Sequence, residues 1–311
     1  KESENNEDVS NFEIEDEKFN SYDNDSTLNE VKVYSKKTTY QIIKNVIDSL
    51  KNNYSDTPFN SLMSTNIRAQ ISDSTYLDFD FIAEQYDLGY VNHINRSTKK
   101  INELRWNVKN DFQTESLREY HGLVYNNPIQ YAPFLKVGKF KKFIFKMDEI
   151  KFFNNEEVFV INFSSPRNHS TFTRRVFLSD YSGYIYINKK DLAIVKIFEN
   201  WKVVEFPESF KEGYDLKKSL SKFTSKEYVN ESMVTDFSKV NDLYYITHST
   251  NIINGNVLTN GGEKENFEII VNSFWKNFNI VNPTPIKNKE EEHLFEKVIS
   301  EAQRDNGRDR H

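Results

Sequence analysis

Histidines are the residues of this 311-residue chain best suited to acid–base or metal chemistry, and there are six of them. His293 and Glu296 have the H-x-x-E spacing that places two zinc ligands on one helical face. A catalytic zinc needs a third protein ligand, and the only histidine further along the sequence is His311 in a polar tail. We therefore interpret the pair as the solvated face of a charged helix and expect no metal site.

Three other histidines, His121, His169 and His248, could each act as a general base if a carboxylate oriented the ring. The sequence pairs none of them with such a partner. It contains no G-x-S-x-G elbow, no G-x-x-x-x-G-K-S/T loop and no G-x-G-x-x-G fingerprint, and zero cysteine excludes thiolate chemistry. We expect no enzymatic activity and no cofactor, with a hydrolase of unrecognised site kept as an alternative.

Aromatic and aliphatic residues alternate along neighbouring predicted strands between residues 143 and 186. The positions between them, such as Ile144, Phe152 and Val160, are apolar too. A sheet that is apolar on both faces must cover both. Either the chain's own helices and loops cover them, or a groove between sheet and helix holds an apolar molecule. The candidate ligand-binding residues are Phe143, Phe145, Phe159, Ile161, Phe163, Phe177, Tyr184 and Tyr186.

The composition favours strands over helices. There are 25 Phe and 17 Tyr against five Ala, and aromatic rings suit a pleated surface whereas Ala is the best helix former. The apolar runs are shorter than the roughly 20 residues that span a bilayer, so no transmembrane segment is expected.

Negative charge is concentrated at the start of the chain. Residues 1–30 carry 11 Asp or Glu and two Lys, whereas the rest carries 36 acids and 39 bases. The folded part is thus nearly neutral, which argues against nucleic acid as the main partner. The basic residues at 139–142 and 174–175 are interpreted as the solvent face of strands.

Four segments are predicted. Residues 1–28 are acidic and unpatterned, which indicates disorder, and residues 29–39 form a short strand and linker. Residues 40–282 form the main domain, and residues 283–311 form a C-terminal helix (289–303) and polar tail. The domain opens with a helix from Tyr40 to Asn53, capped by Thr38 or Thr39.

The rest of the main domain predicts an antiparallel meander. Turn signals separate short alternating segments with no room for helical crossovers. A helix is expected at 110–125, one turn at 180–183, and another turn marked by 254–255 and 261–262. The predicted strands are 62–71, 75–86, 142–153, 156–164, 171–178, 184–188, 192–202, 225–237, 243–253 and 266–276. The fold class is therefore α+β, a large antiparallel sheet with one or two helices laid against it.

Several packing motifs resemble one family of Bacteroidota proteins. Lys44 to Phe59 resembles its helix and N-Y-x-x-x-P-F elbow. Met147 to Phe163, followed by Tyr184 to Ile197, resembles its G-x-I-Y-I-D-x-x-x-Y-A-I-x-x-I hairpin region, and Phe274 to Ile280 its closing F-W-x-N-Y-N-I. In that family a carboxypeptidase-like regulatory β-domain precedes a lipoprotein-carrier-like (LolA-like) sheet. Residues 28–33 of this chain resemble the last strand of that regulatory domain.

The resemblance implies a half-open, curved antiparallel β-barrel wrapped over one or two helices, in a protein of the periplasm or outer membrane. Barrels of the lipoprotein-carrier superfamily hold acyl chains in an apolar cavity. The resemblance carries over no catalytic residue, because its motifs are packing motifs.

Two non-enzymatic functions follow as expectations. The first is an envelope binding module that holds a lipid or lipoprotein acyl chain on its apolar face, since each buried CH₂ contributes about 0.8 kcal/mol. The second is an envelope scaffold whose sheet edge or apolar patch binds a partner protein.

Overall fold

The computed structural model describes residues 35–91, 97–108, 127–175, 178–205, 223–259 and 263–287. Within these ranges, one long helix, two single-turn helices and two 3₁₀ turns accompany ten strands. The helices are α1 (Lys36–Asn53), α2 (Pro128–Tyr131) and α3 (Ser170–Thr173), with 3₁₀ turns at Pro133–Leu135 and Phe140–Lys142. The strands are β1 (Phe59–Ile71), β2 (Ser74–Asp87), β3 (Ser97–Val108), β4 (Ile144–Phe153), β5 (Glu156–Ser164), β6 (Leu178–Asn188), β7 (Ile194–Glu205), β8 (Phe223–Val240), β9 (Leu243–Thr259) and β10 (Lys264–Asn279).

All ten strands form one sheet, in the order β3-β2-β1-β10-β9-β8-β7-β6-β5-β4. Every neighbouring pair is antiparallel. Strands β3 and β4 are its two edges, so the sheet is not closed. The predicted α+β class, a large antiparallel sheet with helices packed on it, is confirmed.

Helix α1 begins four residues earlier than predicted, and its cap is Ser35. The Ser35 side chain accepts a hydrogen bond from the backbone N–H of Thr38 at 3.2 Å, in the extended conformation usual for an N-cap. Ile43, Val46 and Leu50 are buried along one side of the helix. The predicted end of the helix at Asn53 is correct, and the predicted Thr38 or Thr39 cap is wrong.

The asparagine turns join strands where the sequence predicts them. Asn154 and Asn155 have φ angles of 50° and 62° between β4 and β5, and Asn241 has 57° between β8 and β9. Asparagine tolerates this left-handed region, which tight hairpins need.

Several predicted boundaries are wrong. Ser170–Thr173 is a helical turn rather than the start of a strand at 171. Residues 180–183 lie inside β6, and 254–255 lie inside β9. At 180–183 and 254–255 cross-strand pairing outweighs the local glycine, aspartate or asparagine turn signal. Strand β3 is not among the predicted strands, because its sequence alternates only weakly.

Some predictions concern residues outside the described ranges. These are the disordered segment at 1–28, most of the strand and linker at 29–39, the helix at 110–125 and the C-terminal helix at 289–303. No helix among the described residues is long and apolar enough to cross a bilayer.

The two faces of the sheet differ in what covers them. We call the inner face the one that carries the cross-strand row Phe163, Gly183, Glu199, Met233, Asn251, Val271 and Ile67. Helix α1 packs on this face, since the Tyr40 ring meets Phe145 at 5.3 Å and the Tyr54 ring meets Phe237 at 5.6 Å. The outer face carries the alternate residues, such as Tyr184, Phe198 and Thr250.

Candidate functional site on the inner face

Phe134 fills the inner face over β4–β6. It follows Pro133 in the 3₁₀ turn after α2, and its ring lies 4.2 Å from Phe163, 6.0 Å from Phe143 and 6.2 Å from Tyr181. The Phe134 side chain has no solvent exposure. The chain's own aromatic residues therefore pack this part of the face closely.

The structure brings together four of the eight residues predicted to bind a ligand. Phe143, Phe145, Ile161 and Phe163 are buried in the hydrophobic core, where the rings of Phe143 and Phe163 contact Phe134. Phe159 lies half-buried on β5 with Ile161 and Phe163. Tyr184 and Tyr186 lie on the outer face instead, because they pair with Asn162 and Val160, not with Phe163 and Ile161. Phe177 lies outside the described residues. The ligand-binding role of the set stays a prediction, and binding around Phe163 would require Phe134 to move.

A buried carboxylate links the aromatic core to the short helices. Glu199 is fully buried on β7, where Tyr131 donates a hydrogen bond to Oε2 at 2.6 Å and Tyr181 donates one to Oε1 at 2.5 Å. Burial raises the pKa of the Glu199 carboxyl to about 7, although both tyrosine hydroxyls and the nearby arginines pull the pKa down. Both carboxylate oxygens are occupied, so Glu199 anchors α2 to the sheet.

The raised pKa of Glu199 predicts a pH-dependent stability. The folded chain holds a proton that the unfolded chain releases between pH 4.5 and about 7, so stability is highest below pH 4.5 and is lost as the pH rises through 7. From pH 5 to pH 8 this contribution should fall by roughly 2–3 kcal/mol. Denaturant titrations should show a correspondingly smaller fall for Glu199→Gln.

The exposed Glu205 at the end of the same strand provides the matched control, since Glu205→Gln should keep the wild-type pH dependence. Equal pH profiles for Glu199→Gln and wild type would contradict the assignment.

A second polar cluster lies beside Glu199 on the inner face. Arg175 pairs with Glu231 at 2.6 Å, and the Asn251 amide donates to Glu231 at 3.1 Å. The Arg175 guanidinium also lies 4.3 Å from the centre of the Trp201 ring, and Trp201 donates to the carbonyl of Thr173. These contacts fix α3 against β7 and β8.

Polar side chains continue from this cluster across the middle of the inner face. Thr235, Ser249, Ser273 and Thr65 form one cross-strand row, in which the last two share a hydrogen bond of 2.9 Å. Within the described part of the chain, Thr235 Oγ1, Asn251 Oδ1 and Arg175 Nε are buried without a hydrogen-bond partner. We call this row, together with Asn251, the polar strip. Because buried polar atoms rarely stay unpaired, the unpaired atoms of the strip offer unused hydrogen-bonding capacity.

Beyond the polar strip the inner face becomes apolar again. Strands β10, β1 and β2 contribute a set of buried side chains there: Val271, Ile269, Ile67, Ile71, Phe79 and Phe81. We call this set the apolar half. Among the described elements, α1 and α3 make their main contacts with β4, β6 and β9 instead. The inner face thus consists of an aromatic half filled by Phe134, the polar strip and the apolar half.

His248 lies on the outer face, and among the described histidines it is the one whose ring contacts an orienting carboxylate. His248 Nδ1 lies 3.0 Å from Asp236 Oδ2, and Nε2 lies 3.0 Å from Thr250 Oγ1. Thr250 donates to Asn272, and the His248 ring stacks on Phe274 at 4.5 Å. The sequence did not reveal this pairing, because the two residues meet through the register of β8 and β9.

A polar pocket of about 460 Å³ lies beside the end of β1, the interior of β9 and the first residues of β10. Its lining is mainly amides and a carboxylate: Gln70, Ser72, Asn254, Gly255, Asn256, Asn266, Phe267 and Glu268. It differs in place and character from the apolar cavity that the sequence predicted. No group of three metal-ligating side chains is placed to hold a metal ion among the residues described.

Comparison with known proteins gives fold-level likeness only. No protein-family model matches the chain, and no curated protein is significantly similar to it. A crystal structure of a candidate outer membrane lipoprotein-sorting protein domain from Vibrio parahaemolyticus has 7% identity and a TM-score of 0.32, over 83% of this chain and 99% of that one. A DUF1329 family protein from Desulfovibrio piger has 7% identity and a TM-score of 0.34, over 79% of this chain and 95% of that one. Neither likeness is close enough to support a conclusion about activity or ligand.

Proposed function

We propose that the chain is a non-enzymatic binding module of the cell envelope, which holds an amphiphile with its acyl chain on the apolar half of the inner face. The periplasmic or outer-membrane location rests on the resemblance of its packing motifs to the LolA-like family. The observation that carries the ligand proposal is the pair of buried oxygens of Thr235 and Asn251, which have no hydrogen-bond partner among the described residues and border the apolar half. The side chains of both halves of the inner face are buried, so an acyl chain would have to displace what covers them.

The polar strip gives an amphiphile a defined orientation. An acyl chain that displaces what covers Ile67, Ile269 and Val271 would place its polar end near Thr235 and Asn251, whose buried oxygens have no partner among the described residues. A hydroxyl or amide of the ligand would satisfy these acceptors, while each buried CH₂ adds about 0.8 kcal/mol. Affinity would come mainly from the chain, and orientation from the polar strip.

Tryptophan quenching by a brominated fatty acid tests this location. Trp275 lies on the inner face of β10 and donates to Gln85, whereas Trp201 stacks on Tyr181 in the filled half. Two single-tryptophan proteins make a matched pair, since Trp106→Phe/Trp201→Phe keeps only Trp275 and Trp106→Phe/Trp275→Phe keeps only Trp201. We expect saturable quenching of Trp275 and little quenching of Trp201.

Quenching confined to Trp201 would place the ligand among the predicted aromatic residues and contradict the proposed location. Absence of quenching in both proteins would contradict acyl binding itself.

A scaffold function is the second candidate, favoured by the exposed edge strand β4. This strand ends the sheet, and it exposes 74% of Phe152 and 51% of Ile144. An open edge with apolar side chains can accept an added strand from a partner. Retention of a partner envelope protein by wild type, and its loss in Phe152→Ser, would support this function.

A further inference from the structure

Basic side chains gather around α3 on segments that contain no acid. Residues 127–147 and 162–175 together hold eight Lys or Arg and no Asp or Glu, in a chain whose net charge is −6. The interpretation of the basic residues at 139–142 and 174–175 as strand faces is wrong, since they lie on a 3₁₀ turn and just after the helical turn α3.

Contacts with α3 hold these cations close to one another. Arg167 and Lys142 lie 5.3 Å and 5.8 Å from the centre of the same ring, that of Phe172. Lys139 donates to the carbonyl of Thr171 at 3.2 Å. Partial desolvation and the charge of Arg174 lower the pKa of Lys136, which places these two cations close together as well. We call Lys136, Lys139, Lys141, Lys142, Arg167 and Arg174 the basic patch.

The positive charge of the patch is not neutralised locally. In the described ranges, none of the four lysines nor Arg167 forms an ion pair with a carboxylate. Acidic residues elsewhere on the chain are screened over a Debye length of about 8 Å at physiological salt. The patch therefore presents a local positive field despite the negative net charge.

An apolar side chain projects from the same surface. Val137 is 72% exposed between Lys136 and Gly138, in the loop that joins the two 3₁₀ turns. A valine flanked by lysines suits a lipid interface, where the apolar group enters between headgroups and the ammonium groups stay at their level.

We propose that the basic patch docks the protein on an anionic lipid surface, with Val137 inserted between the headgroups. Lipid suits the patch better than single-stranded nucleic acid, which needs exposed aromatic rings for base stacking. The rings within the patch, Phe140 and Phe172, are buried beneath the lysines. This docking does not depend on whether the inner face holds a ligand.

Vesicle co-sedimentation of the full chain tests the proposal. We expect binding to vesicles with 30% phosphatidylglycerol, weak binding to pure phosphatidylcholine, and release by about 0.5 M NaCl. Each removed charge should weaken binding about fivefold, so Lys136→Gln/Lys141→Gln/Lys142→Gln should lose about 100-fold. Val137→Ser should lose up to about tenfold.

The control removes three exposed lysines away from the patch: Lys51→Gln/Lys100→Gln/Lys190→Gln changes net charge equally and should retain binding. Equal loss in both triple variants, or equal binding to neutral vesicles, would overturn the proposal. So would patch-dependent binding to a 20-nucleotide DNA without binding to vesicles. Because fatty acid quenching is measured without vesicles, failure here leaves the ligand proposal standing.

Discussion

Replacing Phe134 with alanine should lower the free energy of unfolding by about 3–5 kcal/mol, the usual cost of removing a fully buried aromatic ring from a packed core. The ring contacts Phe163, Phe143 and Tyr181, so its loss leaves a cavity that three other rings line. The 3₁₀ turn at Pro133–Leu135 limits how far the backbone can move to close it. Urea titration of the variant would measure the change.

Phe152→Ala is the matched control, since Phe152 is largely exposed on β4 and should cost less than about 0.5 kcal/mol. Equal stabilities of the two variants would show that Phe134 does not fill the inner face. The Phe134→Ala cavity should also admit the brominated fatty acid, so that Trp201 becomes quenched in this variant.

Replacing Gly183 with valine should destabilise the chain by more than about 4 kcal/mol or prevent folding. A Cβ at this position would overlap the backbone carbonyl oxygen of Phe198 and come within 2.8 Å of the Phe163 ring. Strands β6 and β7 would have to separate, and the Phe163 ring would have to leave its place against Phe134. Thermal unfolding and soluble yield would report the effect.

Gly138→Ala is the control for the glycine substitution itself. No atom lies within 4 Å of a Cβ built there, and removing a glycine from a compatible loop position stabilises by roughly 0.4–1 kcal/mol. A Gly183 variant as stable as wild type would mean that β6 does not pack against Phe163 as described.

Much of the sheet could be predicted because period-two alternation is a local property. β1, β2 and β10 contain the predicted segments, and the Asn154–Asn155 and Asn241 turns join the strands as expected. Gly183 shows where this approach fails. Gly183 and Asp180 together favour a turn. Cross-strand pairing and the space that the Phe163 ring needs keep Gly183 inside β6 instead.

The candidate site was harder to predict than the fold. Alternation along β7 does place Glu199 among the inward residues Ile197 and Trp201, so a buried carboxylate there could have been found. Its partner Tyr131 could not, because it lies 68 positions away on a short helix that only tertiary contacts hold in place. The packing of Phe134 on the inner face could not be predicted for the same reason, since Phe134 also reaches the sheet from a distant segment. Sequence alternation identifies an apolar face, but it does not say which distant segment covers it.

Native mass spectrometry of the full chain, purified without detergent from bacterial cells whose envelope supplies lipids, is the most direct test of the proposed ligand. We expect one acyl-bearing molecule per chain, displaced by excess brominated fatty acid in step with the quenching of Trp275. A chain that carries no lipid, and that takes up none from an excess of fatty acid, would contradict the claim that its inner face binds an amphiphile.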